Sequence, residues 1–266
     1  MEKKLHLYNS KSDYLNEKDS FTPIYNVSYV IDTDEVLYNY VSGQGDTPIV
    51  FADSEVKRLC VENWGSNGEI TYNQAAAVTD LGGVFGYNTA ITSFDELQYF
   101  TGLTSIGVAA FDDCSNLKSV KIPNSVTIIK ECAFFNCISL KSISMPNGIT
   151  KIGNIVFTNC PSLTSISMPN NLTSIGVGVF DGCTSLLSIN IPSGVTNIGS
   201  SVFYNCSNLK TITSYAVSAP TITNTTFKGV PTDGKLYVSA NATGYNVWMG
   251  TGDFYLGKYN WALSTL

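Results

Sequence analysis

Seven cysteines are the most reactive side chains in this 266-residue sequence, and five of them, Cys114, Cys137, Cys160, Cys183 and Cys206, recur at a constant interval of 23 residues. A thiol needs a base, a metal or a second thiol before it does chemistry. The single histidine, His6, stands far from all of them in sequence, so neither a Cys–His pair nor a Ser-His-Asp arrangement has an evident base. No His/Cys cluster has zinc spacing, and no glycine-rich phosphate loop precedes a helix. Asp112 and Asp113 are adjacent, the spacing of a solvated turn rather than of a general acid facing a general base. The expectation is a protein with no catalytic residues, no metal and no cofactor. Three readings of the cysteine column stay open: reduced thiols packed as small hydrophobes, disulfides between neighbouring coils, or a metal site. The first is preferred because side chains in one column run parallel. The odd total leaves a thiol over in any pairing.

A second set of residues could bind rather than react. Ser119, Ser142, Ser165, Ser188 and Thr211 keep the same step, as do Lys121, Ser144, Ser167, Asn190 and Thr213 two positions later. Together they make a hydroxyl-rich ladder suited to hydrogen bonding with a glycan or peptide. The alternative is that short polar residues simply suit a crowded concave sheet. Stacking on a sugar ring would need aromatic faces, which lie elsewhere, at Tyr245, Trp248 and Tyr255. The preferred reading of those residues is the packing of a cap.

The elements that would position these side chains follow from the repeat. Phe111, Phe134, Phe157, Phe180 and Phe203 share the 23-residue step, and so do Leu117 to Leu209, Ile106 to Ile198 and Pro123 to Pro192. In the unit Leu140-Lys-Ser-Ile143-Ser-Met145-Pro146-Asn-Gly-Ile149-Thr-Lys-Ile152-Gly153, apolar residues at positions one, four and six predict a short strand with alternate residues inward. Proline ends the strand because it cannot donate to a neighbouring ladder. Phe-x-x-Cys then turns the chain. Each unit is one coil that buries its apolar face only against its neighbours, giving about five to six stacked coils and one buried phenylalanine column.

These units resemble the BspA-like leucine-rich repeat family of bacterial surface proteins over about residues 94–213. The resemblance implies a curved solenoid, short parallel β-strands with turn or 3-10 segments, used in adhesion and partner recognition. It implies no particular ligand.

The expected organisation is an extended attachment arm at 1–50, a helix-loop-helix N-cap at 51–93, repeats at 94–213 and a C-terminal cap at 214–266. Val56, Leu59, Cys60 and Trp64 sit at helical spacing behind Asp53 or Ser54, and Thr71-x-x-Gln74 opens a second helical run through Val78, ending near Gly82 and Gly83. The intervening loop is similar to a decayed EF-hand. Calcium needs several carboxylates, and here only Glu69 is acidic. Phe94, Leu97, Tyr99, Leu103 and Ile106 fit a first, capping coil, although Ser93-x-x-Glu96 is also a helix capping box. After the repeats the phase slips by one residue at Phe227, Leu236-Tyr237-Val238 reads as a last strand, and Tyr245, Trp248, Phe254, Tyr255, Tyr259 and Trp261 close the open end.

The arm has β-like runs at Tyr25 to Ile31 and Val36 to Val41 but no core of its own. Its stretch Pro23 to Val30, followed by Val36 to Asn39, resembles N-terminal arms of virion surface proteins of tailed phages. That resemblance implies a phage fibre or host-attachment role for a chain in which no signal peptide is visible. Bacterial adhesin and structural spacer are the alternatives. Expected partners are a host-surface glycan or protein, and an assembly partner through the arm, such as the other chains of a trimer.

Charge narrows the classes further. Residues 1–100 hold 15 Asp+Glu and 6 Lys+Arg (−9), while residues 101–266 hold 6 and 9 (+3). The acidic first half argues against nucleic acid, whose phosphates demand a basic footprint. No apolar run approaches the roughly 18 residues of a membrane span, so no membrane insertion is expected, and the two resemblances imply a virion, a cell surface or the extracellular space.

Overall fold

The structure is a computed structural model and describes residues 47–223, 225–252 and 255–266, together with three short strands nearer the N-terminus. These are β1 (Leu7–Tyr8), β2 (Ser28–Ile31) and β3 (Leu37–Tyr40), paired antiparallel in that order. β2 and β3 fall within the two expected β-like runs. The rest of residues 1–46, and with it the role expected of the arm, lies outside the described residues, as does Phe254.

Two helices precede the coils. α1 (Ser54–Trp64) starts at Asp53, whose carboxylate accepts from the Glu55 and Val56 N–H groups at 2.9 and 3.1 Å. α2 (Tyr72–Ala77) starts on a complete capping box. Thr71 Oγ1 accepts from the Gln74 N–H at 3.2 Å, and Gln74 Oε1 accepts from the Thr71 N–H at 2.8 Å. α2 stops well short of Gly82 because Val78 turns extended and buries its side chain. Between the helices, Asn67 and Gly68 both take positive φ (52° and 78°), closing a two-residue turn in which Ser66 and Glu69 exchange backbone hydrogen bonds. The Glu69 carboxylate pairs with Lys57 Nζ at 2.9 Å, and Gln74 Nε2 donates to Ser66 Oγ at 2.8 Å. The side chains that an EF-hand would aim at an ion are thus engaged in capping and an ion pair.

Asp53 also joins the helices to the coils, since its second oxygen accepts from the Thr92 N–H and hydroxyl, both at 2.7 Å. The next residues form β4 (Ser93–Phe94), the first coil's strand, and then a five-residue 3-10 helix, Asp95–Tyr99, without a side-chain cap. The Ser93-x-x-Glu96 capping box therefore does not form; Glu96 instead accepts from the Ala52 N–H at 3.0 Å.

From here most coils carry two short strands on different sides. The first-strand ladder holds β4, β6 (Ser119–Lys121), β8 (Ser142–Ser144), β11 (Ser188–Ile191), β13 (Thr211–Ser214), β14 (Lys235–Val238) and β15 (Ala262–Thr265), parallel wherever they pair. Residues 165–167 occupy the coil between β8 and β11 but pair with neither, so the ladder divides there. The second ladder runs β5 (Ser105–Ile106), β7 (Ile128–Ile129), β9 (Lys151–Ile152), β10 (Ser174–Ile175), β12 (Asn197–Ile198). On the third side, the N–H groups of Phe111, Phe134, Phe157 and Phe180 donate to carbonyls of Ala133, Val156, Val179 and Val202 in the next coil at 2.8–3.0 Å. Apart from the division of the first-strand ladder at residues 165–167, all three sides are hydrogen-bonded from coil to coil, which satisfies backbone groups that burial would otherwise strand.

The phenylalanine column stacks as the repeat predicts. Ring centroids from Phe111 to Phe203 are 5.1, 5.5, 5.8 and 6.0 Å apart, with planes within 13° of parallel. The column is longer than its 23-residue frame, reaching Phe85 at 5.4 Å below Phe111 and Phe227 at 5.8 Å above Phe203. Trp248 closes it, tilted 54° on Phe227. β14 is not the last strand, because the chain returns after Trp248 to add β15 beside it.

Candidate functional site

The repeat aims one set of side chains at solvent and the other at the core. On β6, β8 and β11 the inward residues Val120, Ile143 and Ile189 are buried, and a coil-to-coil register of 23 residues puts Ser119 beside Ser142 and Lys121 beside Ser144. Lys121, Ser142, Ser144, Ser165, Ser167, Ser188 and Asn190 are exposed, and Ser119 and Thr211 are half-buried. These nine expected contact residues therefore form one accessible face. Thr213 does not join them. It is 9% exposed, because the cap extends the ladder and sets the bulky Tyr237 beside it in register.

Of the secondary aromatic candidates, burial assigns two to the packing of the cap. Trp248 is fully buried and its Nε1–H donates to the Pro220 carbonyl at 3.0 Å. Tyr245 is buried with its hydroxyl 2.6 Å from Ser214 Oγ and donating to the Ala216 carbonyl at 3.0 Å. Burial raises the Tyr245 pKa, with the Ser214 hydrogen bond opposing. Both rings are cap packing with their polar tips satisfied. Tyr255 stays half-buried.

The cysteine column is a ladder of free thiols. Cys114, Cys137, Cys160, Cys183 and Cys206 each donate Sγ–H to the backbone carbonyl of the phenylalanine one coil back, at 3.1–3.2 Å. Burial pushes all five pKa values up, that of Cys114 to about 12, so they stay protonated and poorly nucleophilic. Cys132, half-buried at a left-handed turn position, lies outside this column.

Two further features went unread in the sequence. Thr127, Thr150, Thr173, Thr196 and Thr221 each donate both N–H and hydroxyl to the carbonyl of the threonine one coil back. Beside this edge, along the second ladder, lies a shallow groove of about 320 Å³, walled by Val108, Ile128 and Ile152 and flanked by Lys130, Glu131 and Lys151. Glu131 there accepts from Asn154 Nδ2 at 2.9 Å. Threonine recurrence was the signal that could have found the edge.

Among the described residues, no group of three or more His, Cys, Asp or Glu is placed to hold a metal ion, and no helix is long and apolar enough to cross a membrane.

Comparison with known proteins gives a consistent picture. The profile of the BspA type leucine-rich repeat region matches residues 90–232 with 6 copies. No curated protein matches the chain. Among solved structures, the pneumococcal vaccine antigen PcpA superposes with a TM-score of 0.56 at 20% identity, over 70% of this chain and 45% of that one. A leucine-rich repeat protein from Bacteroides ovatus is 33% identical over 53% of this chain and 38% of its own, with a TM-score of 0.42. The T. pallidum leucine-rich repeat protein is 29% identical over 51% of this chain and 66% of its own, with a TM-score of 0.44. The chain therefore spans less than two thirds of each of these proteins.

Proposed function

The chain belongs to the BspA-type leucine-rich repeat proteins, and we propose that it works as a non-enzymatic binding module at a cell or particle surface, with the first-strand face as its contact surface. The observation that carries this reading is the accessible row of short hydrogen-bonding side chains on β6, β8, the Ser165–Ser167 coil and β11, mounted on a core whose rings and thiols are closed to chemistry. A rigid coil stack presents one repeated chemistry along an extended surface, which suits a polymeric or repetitive partner on a host surface, glycan or protein. Attachment through residues 1–50, and assembly into a trimer, remain parts of the proposal that the described residues do not reach. The virion reading finds no support in the comparisons, and the proposal does not depend on it.

The test is binding of fluorescent full-length protein to intact candidate host cells. Ser142→Arg, Ser165→Glu and Ser188→Arg together place bulky charges of alternating sign on neighbouring coils, so that adjacent substitutions attract. The proposal expects cell binding to be lost with circular dichroism unchanged. Undiminished binding by the folded variant would reject the first-strand face.

A further inference from the structure

The first-strand face is also sorted by charge. Lys118 and Lys141 stand on neighbouring coils at the start of the strand, joined by a Lys141 N–H to Lys118 carbonyl bond of 3.1 Å, and Lys121 stands on β6. Farther up, the Lys235 N–H donates to the Lys210 carbonyl at 2.8 Å, which stacks a second pair of lysines. All five are exposed. Among the described residues the ion pairs are confined to Lys57 and Arg58 of α1, so none of the five is neutralised by a carboxylate. Along the strand segments of four successive coils, residues 117–122, 140–145, 163–168 and 186–191, no residue is acidic. Asp95, one coil before Lys121, and Asp233, in the turn before β14, stand at the margins.

We infer that this face binds an acidic polysaccharide, a chain carrying carboxylate or sulfate groups among free hydroxyls. The inference rests on the proposed binding role of the same face and names its ligand class. The two lysine groups are three coils apart from Lys141 to Lys210, roughly 14 Å at the usual strand spacing. Between them the face offers mainly hydroxyls, from Ser142, Ser144, Ser165, Ser167 and Ser188. Cations at both ends and hydrogen-bonding groups between match a polymer whose charged groups stand among free hydroxyls. An acidic peptide fits less well. β6, β13 and β14 are paired on both sides, so a peptide could add as a strand only at the ends of the ladder or where it divides at residues 165–167. Along these four strand segments the one exposed large apolar residue is Leu187. Nucleic acid would call for aromatic platforms that the middle coils lack.

The experiment is titration calorimetry of the full chain with polygalacturonate, dextran sulfate, neutral dextran and poly-L-glutamate. Binding to polygalacturonate or dextran sulfate is expected, the stronger arm identifying carboxylate or sulfate, with dextran silent. Lys118→Gln, Lys141→Gln, Lys210→Gln and Lys235→Gln combined should weaken it by about tenfold or more without altering the fold. Raising salt to about 0.5 M should weaken it similarly. No binding to either polyanion, equal binding to dextran, poly-L-glutamate binding as tightly, or indifference to the four lysine changes would each overturn the inference. If cells are bound and the serine variant abolishes that binding while the lysine variant does not, the face survives as a binding site and the acidic ligand falls. If the serine variant binds cells normally, the underlying reading falls as well.

Discussion

The Cys160 thiol donates to the backbone carbonyl of Phe134, 26 residues earlier and 3.2 Å away, and the same bond recurs at five levels of the coil stack. It ties the cysteine column to the phenylalanine column one coil back and gives each buried carbonyl a donor. Thiol reagents should therefore modify the half-buried Cys132 first in native protein, with the ladder cysteines reacting only on unfolding. Mass spectrometry of alkylated peptides reads this order, and early labelling of Cys160 would contradict it.

Alkali should unfold the chain through the same column. Burial raises the folded-state pKa of these thiols, so the native state holds protons that the unfolded chain releases near the ordinary thiol value of about 8.5. That contribution is complete below the unfolded value and is lost as pH rises above it toward the folded value. Urea midpoints should fall steadily from about pH 9 upward. Cys160→Ala and Cys183→Ala together should flatten that slope while lowering stability at neutral pH.

Gly176 is where coils approach most closely on the second ladder. A Cβ there would lie 2.4 Å from the Gly153 carbonyl oxygen. Gly176→Ala is expected to cost about 1–3 kcal/mol in chemical denaturation through overpacking. A neutral result would show that the coils can separate.

Ile155 sits at φ 59°, a left-handed position that a β-branched residue tolerates poorly, and the equivalent residue one coil later is Gly178 at φ 62°. Ile155 is 37% exposed, so little packing opposes its removal. Ile155→Gly should raise stability by about 1 kcal/mol, read as a higher thermal midpoint.

Acid should loosen the N-terminal cap first. Burial raises the Asp53 pKa, but hydrogen bonds from the Thr92 hydroxyl and from the Thr92, Val56 and Glu55 N–H groups outweigh it and hold the carboxyl below its ordinary range. A depressed carboxyl contributes stability above its unfolded value that is lost as pH falls toward the folded one. Asp53→Ala should cost about 1–2 kcal/mol at neutral pH and remove part of the acid-induced loss below about pH 4. Hydrogen exchange in α1 should report it.

Much of this fold was legible because one period carries it. Five columns in phase fixed the coil, its buried rings and the outward serines. Phe85 escaped because the chain between it and Phe111 is 26 residues long, outside the 23-residue frame, although the rings stack like the rest. The second ladder escaped because its strands are two residues long, too short to show alternation. Tyr245 and Trp248 were legible as closing the open end, but the burial of Thr213 was not, because it depends on what the cap lays beside it in register, and that has no period to read.

The central claim, that the first-strand face makes the contact, is tested most directly by hydroxyl-radical footprinting of the full-length protein free and bound to host cells. Exposed aliphatic residues report on three surfaces: Leu187 among the serine-bearing coils of the first-strand face, Val177 beside the second ladder and Leu263 at the capped end of the stack on β15. The account predicts protection of Leu187 on binding, with Val177 and Leu263 oxidised as in the free protein. Protection of Leu263 or Val177 with Leu187 unchanged would contradict it and move the contact to the cap or the second ladder.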